Sequence, residues 1–482
     1  MLMVGKHPGW VAGIMALGLW VALTGCVSVR DEVAARPGQS WVAPDGEMSV
    51  PPAAMSPSPN PGWAGEPLAL DRWVDMALEN NPATRLSWYA AKARAAQLGQ
   101  QESRFWPTAG VGVNLTREKQ REVGLGPGAA ISSGTYWSTY YGPTLELNWL
   151  LWDFGRREAD VETARQTLYA ANFGYNQTLQ DVVLAVQNAF YQLHGAQASV
   201  LASEATIAEA RVAWESADAK LRSGMGNKQD ALRALADLRT AEFGLEASRA
   251  AVERNRAKLA RAVGLPPSQH IRITLDEAGF AALIEQQTVI EEQMALALRQ
   301  RPVLMARYAE MRAAESTTRA AERDYFPTVH AGGVAQWQEY SGAVGNPSNN
   351  YQAGIALQWS LFEGFNRRYR ILETKAEERV RREAVRATEL AILADVWAFY
   401  YAYLAAGREI RAAEAAFVAS AESYEANRRG YETGLNNLTD LLSARRTLAD
   451  ARDQRIRAQV NLATALAGLA HATGSLTLGL SP

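Results

Sequence analysis

Residues 149–238 of this 482-residue chain fall on residues 359–448 when shifted by 210, with no insertion needed. Gly224 then coincides with Gly434, Asp230 with Asp440 and Leu238 with Leu448, and Pro302 and Pro327 are spaced like Pro82 and Pro107. A long fixed period means two tandem copies of one structural unit, so every assignment has to work twice. At the centre of each copy is a glycine turn: Leu221-Arg222-Ser223-Gly224-Met225-Gly226-Asn227 in the first and Tyr431-Glu432-Thr433-Gly434-Leu435-Asn436-Asn437 in the second.

Within a copy the hydrophobic period changes. A helix is expected to begin near Leu68 to Asp71, with Trp73, Met76 and Ala77 on one face, and to break near Pro82. An alanine-rich segment then runs to Phe105-Trp106-Pro107, where proline stops it. Beyond Pro107 the period becomes two: Val111, Val113 and Leu115 alternate with Gly110, Gly112 and Asn114, and Leu145, Leu147, Trp149 and Leu151 with Glu146 and Asn148. That alternation signals strands. Residues 116–142, rich in Gly, Ser and Tyr, read as the loop between them. In the second copy Ile355, Leu357, Trp359 and Leu361 alternate in the same way, which gives four strands in all, over about 107–153 and 327–363.

Helix resumes near Arg156 and Asn366. No proline occurs in residues 144–265 or 348–481, so very long helices are permitted. From Arg156 to Leu221 the rise is roughly 100 Å, the scale of a periplasm rather than of a globular domain. Approaching the tip, Ile207, Ala210, Trp214, Ala217 and Leu221 keep heptad spacing, as do Ala231, Ala234, Leu238, Ala241, Leu245, Ser248 and Val252 on the return. Such spacing predicts a left-handed coiled coil. The matching second seam, Phe417, Ser420, Tyr424, Asn427 and Tyr431, is more polar. Asn227 and Asn437 are placed to cap the returning helices.

The N-terminus has the form of an export signal: Lys6 and His7, then an apolar run too short to span a bilayer. It ends in Leu23-Thr24-Gly25-Cys26, which resembles the lipobox of bacterial lipoproteins, and the single cysteine, Cys26, is the expected lipid anchor. Val27 follows, where an aspartate would imply retention in the inner membrane, so an outer-membrane destination is expected. Residues 26–66 hold seven prolines among small and polar residues and read as a tether. A net charge of -2 with 21% charged residues offers no footprint for nucleic acid.

Strands of this length can cross an outer membrane, but four antiparallel strands cannot close, and open edges are not tolerated in lipid. Three copies would supply twelve strands. At this point the chain resembles the TolC-type outer-membrane factors, in their lipoprotein form. The residues that carry the resemblance are the Asn81-Pro82 and Arg301-Pro302 breaks, the Trp106-Pro107-Thr108 and Phe326-Pro327-Thr328 strand starts, and the junctions Leu151-Trp152-Asp153-Phe154-Gly155-Arg156 and Leu361-Phe362-Glu363-Gly364-Phe365-Asn366, with the two glycine tips.

The resemblance implies a mainly α protein with a transmembrane β-barrel sector, in which two tandem repeats each supply a helix, a β-hairpin and a long coiled-coil hairpin. It further implies a homotrimer with a twelve-stranded barrel in the outer membrane and a periplasmic α-barrel. Tip residues Leu221, Arg222, Ser223, Gly224, Met225, Tyr431, Glu432, Thr433, Gly434 and Leu435 would dock a periplasmic adaptor protein, itself joined to an inner-membrane pump of the RND type. Glu422, Tyr424, Glu425, Arg428 and Arg429 are candidates for closing the tunnel. The organisation expected is a signal peptide (1–25), the tether (26–66), a first repeat (67–265), a linker (266–286), a second repeat (287–472) and a tail (473–482).

Neither a catalytic constellation nor a cofactor or metal site is expected. Gly124-Leu125-Gly126-Pro127-Gly128 lacks the strand before and helix after that a phosphate loop needs, and reads as a hairpin loop. His7, His194, His270, His330 and His471 have no ligand spacing. Ser216 and Lys220 have the wrong spacing for a Ser-x-x-Lys nucleophile. Trp106, Tyr136, Trp137, Tyr140, Tyr141, Trp149 and Trp152 suit interfacial belts. The function expected is therefore a passive exit duct for drugs, metals or other small substrates. The duct of a type I protein secretion system is the alternative in the same class, and a lipid-tethered periplasmic coiled-coil protein without a pore is the alternative in another.

Overall fold

The structure is a computed structural model that describes residues 36–39, 67–125, 131–267, 271–274, 289–341 and 348–476. The expected signal peptide, Cys26, most of the expected tether and linker, and residues 477–482 lie outside the described residues. Six elements follow one another in the first half: α1 (Leu70–Asn80), α2 (Pro82–Ser103), β1 (Thr108–Leu125), β2 (Ile131–Trp152), α3 (Arg156–Arg222) and α4 (Lys228–Val263). The second half has the same order: α5 (Ile290–Gln300), α6 (Pro302–Arg323), β3 (Thr328–Ser341), β4 (Ser348–Gln358), α7 (Asn366–Thr433) and α8 (Leu438–Thr473). The long helices α3 and α7 hold 67 and 68 residues, about 100 Å each.

The four strands form one antiparallel sheet in the order β1-β2-β3-β4, so β1 and β4 are its free edges. The expected loop at 116–142 is mostly strand. β1 and β2 stay paired from Thr108↔Asn148 to Leu125↔Ile131, and only residues 126–130 between them lie outside the described residues. The alternation continues through this region in polar and aromatic residues, Arg117, Lys119 and Trp137 among them, and cross-strand pairs of that kind stabilise a ladder as apolar pairs do. The opposite correction applies to β4, which ends at Gln358, so Trp359 and Leu361 lie beyond it.

Each half closes on itself in the same way. Asn81 caps α2 by accepting from Ala83 N at 2.8 Å, while its Nδ2 donates to Ala262 O at 2.7 Å, tying the break to the end of α4. Pro82 and Pro302 begin their helices, where no amide is missed. Gly264 and Gly474 terminate α4 and α8 with φ of 84° and 74°. A Cβ on Gly264 would stand 2.8 Å from Asn80 O, and one on Gly474 3.0 Å from Gln300 C. Glycine is therefore required twice over, by its left-handed backbone and by the backbone packed against it. Around the first closure Trp73, Met76, Trp88, Leu98, Leu179, Phe190 and Leu259 form the main core; Leu304, Val385, Ile392 and Val396 form the smaller core of the second.

Gly264→Ala should destabilise the protein by more than about 1 kcal/mol, whereas Gly244→Ala, in open space inside α4, should be neutral or stabilising by up to about 1 kcal/mol. Thermal unfolding followed by circular dichroism separates the two.

Candidate functional site: junctions, tips and the seam between hairpins

The strand-to-helix junctions fix how the sheet meets the long helices. Phe154 and Gly155 have φ of 55° and 88°, and 210 residues on Gly364 and Phe365 have φ of 61° and 67°. Phenylalanine in this region costs roughly 1–2 kcal/mol, and the first is held by Phe326, whose ring stacks on it at 5.3 Å. Beneath the first turn Arg157 is buried. Its Nε donates to Asp153 Oδ2 at 3.0 Å, Nη1 to Arg104 O and Nη2 to Leu151 O, and its guanidinium lies over the Phe105 ring. Arg367 repeats the arrangement with Glu363, Ser360 O and the Tyr325 ring. Trp149 and Trp359 donate their indole N–H to Phe105 O and Tyr325 O.

Beside this clamp the two halves differ by a reversal of charge. Arg104 pairs with Asp160 at 2.9 Å, and in the second half Asp324 pairs with Arg370 at 2.8 Å. Asp324 also takes Arg156 of the first half at 2.6 Å, so the reversal creates an ion pair that joins the halves.

On the sheet, one face presents Val111, Val113, Leu115, Leu145, Leu147, Ile355 and Leu357, all exposed. The other presents Asn114, Thr144, Glu146, Gln336 and Gln352, which alternate with them in the ladder. Trp106, Trp149, Trp152 and Trp359 are exposed near one end of the strands, and Trp137, Tyr141 and Tyr351 near the other. Tyr140 turns to the polar face, where its ring lies 5.7 Å from Tyr340; the Tyr136 side chain lies outside the described residues.

At the far end the tips are built as capped turns. Gly224 and Gly434 adopt φ of 76° and 81°. Met225 N and Gly226 N donate to Lys220 O, and Leu435 N and Asn436 N to Gly430 O. Asn227 Oδ1 accepts from Asp230 N at 2.7 Å, and Asn437 Oδ1 from Asp440 N at 2.9 Å. These contacts turn Met225 and Leu435 into solvent, 79% and 85% exposed. Lys220 joins the tips, its Nζ donating to Tyr431 O and lying 3.8 Å from the Tyr431 ring centroid.

The five residues singled out for closing the tunnel separate into three environments. Tyr424 is buried with Ala213, Ala217, Tyr431, Leu441 and Leu448 in the core between the hairpins, and burial pushes its phenol up to about 12. Glu425, Arg428 and Glu432 form a ladder along α7, at 2.7 and 2.9 Å. The hydrogen bond from Arg428 holds the Glu425 carboxyl below its ordinary value. That pair contributes above the ordinary carboxylate value and is lost only as pH falls through the lowered one. Glu422 and Arg429 are exposed.

A seam that the sequence did not disclose lies close by. Asp237 of α4 and Arg445 of α8 are buried against each other at 2.5 Å, with Arg446 at 3.4 Å from the same carboxylate, and Glu209 of α3 pairs with Arg452 of α8 at 2.6 Å. None of these residues occupies a heptad position, and the repeat offset carries Asp237 onto Thr447 and Glu209 onto Ala419. Only the packing of one hairpin on the other brings them together.

Two segments of the chain, residues 73–265 and 294–475, match the family model described as outer membrane efflux protein. The chain belongs to that family. Over 478 residues it is 28% identical to Protein CyaE of Bordetella pertussis, covering 96% of this chain and 95% of the relative. It is 22% identical to the outer membrane efflux protein BepC of Brucella suis, over 72% and 76% of the two chains. Among solved structures, the outer membrane protein VceC of Vibrio cholerae superimposes with a TM-score of 0.71 at 19% identity, over 84% of this chain and 96% of that one. The fold is thus that of outer-membrane channels rather than enzymes, and the protein is an outer-membrane transport protein of the efflux family.

Arg445→Met should leave Asp237 buried without its main partner and cost about 3–5 kcal/mol, whereas Arg446→Met, at an exposed side chain, should cost under about 1 kcal/mol. Unfolding of the two variants in urea, followed by helical circular dichroism, reads the difference; equal shifts would contradict a structural role for the seam.

Proposed function

We propose that this chain is one third of a passive exit duct: three copies close a twelve-stranded barrel in the outer membrane and an α-barrel below it. Drugs, metals or other small substrates delivered by an inner-membrane pump and a periplasmic adaptor leave through its centre. The observation that carries this reading is the sheet itself, apolar on one face, polar on the other and open at β1 and β4. Such a sheet cannot stand alone in hydrocarbon, where every unpaired amide costs several kcal/mol; twelve strands from three chains give an allowed closure. Helix α7 supports the same conclusion. It contains a stretch apolar enough to cross a membrane but largely exposed in one chain, with Leu390, Trp397 and Tyr401 at its surface, as expected of a wall completed by neighbouring copies.

In this reading Met225 and Leu435 lead the adaptor-facing tips, and Cys26 carries the lipid anchor. The described part of the tether fits that placement. Gly38 N donates to the Tyr175 hydroxyl at 2.6 Å, which fixes the tether roughly 28 Å along α3 from its membrane end. The twelve residues from Cys26 to Gly38 can reach about 40 Å, enough to return to the bilayer.

Closure of the duct would reside where α7 and α8 meet the first hairpin. Arg428 and Arg429 offer the contacts to a neighbouring copy, and the Asp237–Arg445 seam holds the second hairpin against the first. Single-channel recordings in planar bilayers test this. The wild type should open as a channel of low closed-state conductance, and the double variant Arg428→Ala, Arg429→Ala should raise that conductance severalfold. Unchanged closed-state conductance would sink the gate assignment, and a protein that never conducts would sink the duct.

A further inference from the structure

The apolar face of β1 does not end at the apolar band. After Val111, Val113 and Leu115 the same two-residue spacing continues as Arg117, Lys119 and Arg121, all exposed. In register beside them on β2 stand Thr139, Trp137 and Thr135. The Arg117 guanidinium lies 5.2 Å and the Lys119 ammonium 5.8 Å from the Trp137 ring centroid. Three cations and an indole therefore share one patch on the outward side of the sheet.

The height of the patch follows from strand geometry. About 9–11 tilted residues cross the hydrocarbon, so a crossing that starts at Thr108 ends near residue 117. Arg117 stands at the outer rim, and Lys119 and Arg121 stand among the headgroups above it. An indole at that level is where interfacial aromatics belong. Among the described residues of this face the only carboxylate is Glu339, whose Oε2 accepts from the Tyr141 hydroxyl at 3.1 Å. With β3 and β4 at 14 and 11 residues against 18 and 22 for β1 and β2, the first hairpin rises beyond the second.

We propose that Arg117, Lys119, Arg121 and Trp137 form a docking surface for the phosphorylated glycolipid of the outer leaflet. This rests on the reading that the sheet stands in the membrane as part of a closed barrel. Cations at alternate positions lie about 7 Å apart along the strand, and guanidinium groups match phosphate oxygens two at a time. The indole offers its face to a sugar. A partner whose surface is a dense array of sugar phosphates fits this patch; the apolar band directly below it takes the acyl chains.

The test uses the full-length protein in detergent micelles, with lipid A bearing both phosphates and the same lipid with both removed, and bound lipid is counted by native mass spectrometry. The wild type should bind the phosphorylated form tighter by about tenfold or more. The variant Arg117→Gln, Lys119→Gln, Arg121→Gln should lose that preference, while Arg239→Gln, Arg249→Gln, at two exposed arginines of α4, should keep it. An undiminished preference in the triple variant, equal binding of both lipids by the wild type, or full displacement by inorganic phosphate overturns the proposal. Conductance and heat-modifiable migration of the same samples report on the barrel. Their absence in the wild type would sink the barrel itself, whereas a conducting wild type without the preference would sink only the lipid surface.

Discussion

A β-sheet in hydrocarbon has to satisfy every backbone amide within protein, and one chain of this protein leaves two edges unsatisfied. Most of its other features answer that constraint. One face of the sheet is apolar and the other polar, as the closed barrel proposed above requires, with lipid on one side and water on the other. The apolar surface of α7, largely exposed in one chain, fits the same proposal: one sector of a ring would leave at its flanks what its neighbours cover.

The second half repeats the element order of the first, and the two differ at residues through which they meet. The paired left-handed residues at each strand-to-helix turn keep their place but exchange order, Phe154-Gly155 against Gly364-Phe365. The ion pair at the top of each long helix is kept with its charges reversed, and the reversed acid, Asp324, gains Arg156 from the other half. Toward the tips Asp237 and Glu209 of the first hairpin hold Arg445 and Arg452 of the second. These residues have no counterpart of the same charge in the other half, and they are the ones that tie the two halves together.

Much of this was legible in the sequence. The helix starts at Arg156 and Asn366, the breaks before Pro82 and Pro302 and the asparagine caps at Asn227 and Asn437 are local properties, set by proline, glycine and short acceptor side chains. Strand length is not legible where alternation passes from apolar to polar and charged residues, because a pattern based on hydrophobicity ends there although the ladder does not. The interhairpin seam was invisible for a different reason. Asp237 and Arg445 are 208 positions apart, and a buried pair between distant helices leaves no periodic trace in either. Tyr424 illustrates the converse: its heptad position marked it for a seam, and it is buried there, within one subunit's own core.

In the proposed duct, β1 of one copy closes on β4 of the next, three times around. Cysteines placed pairwise at Val111, Val113 or Leu115 and at Tyr351, Ala353 or Ile355 test it directly by oxidation in outer membranes, with the protein carrying only Cys26 as the control. At least one pairing should yield covalent species of two and three chains and nothing larger, because a ring of three closes. A ladder that runs past three chains, or monomer at every pairing, would contradict it.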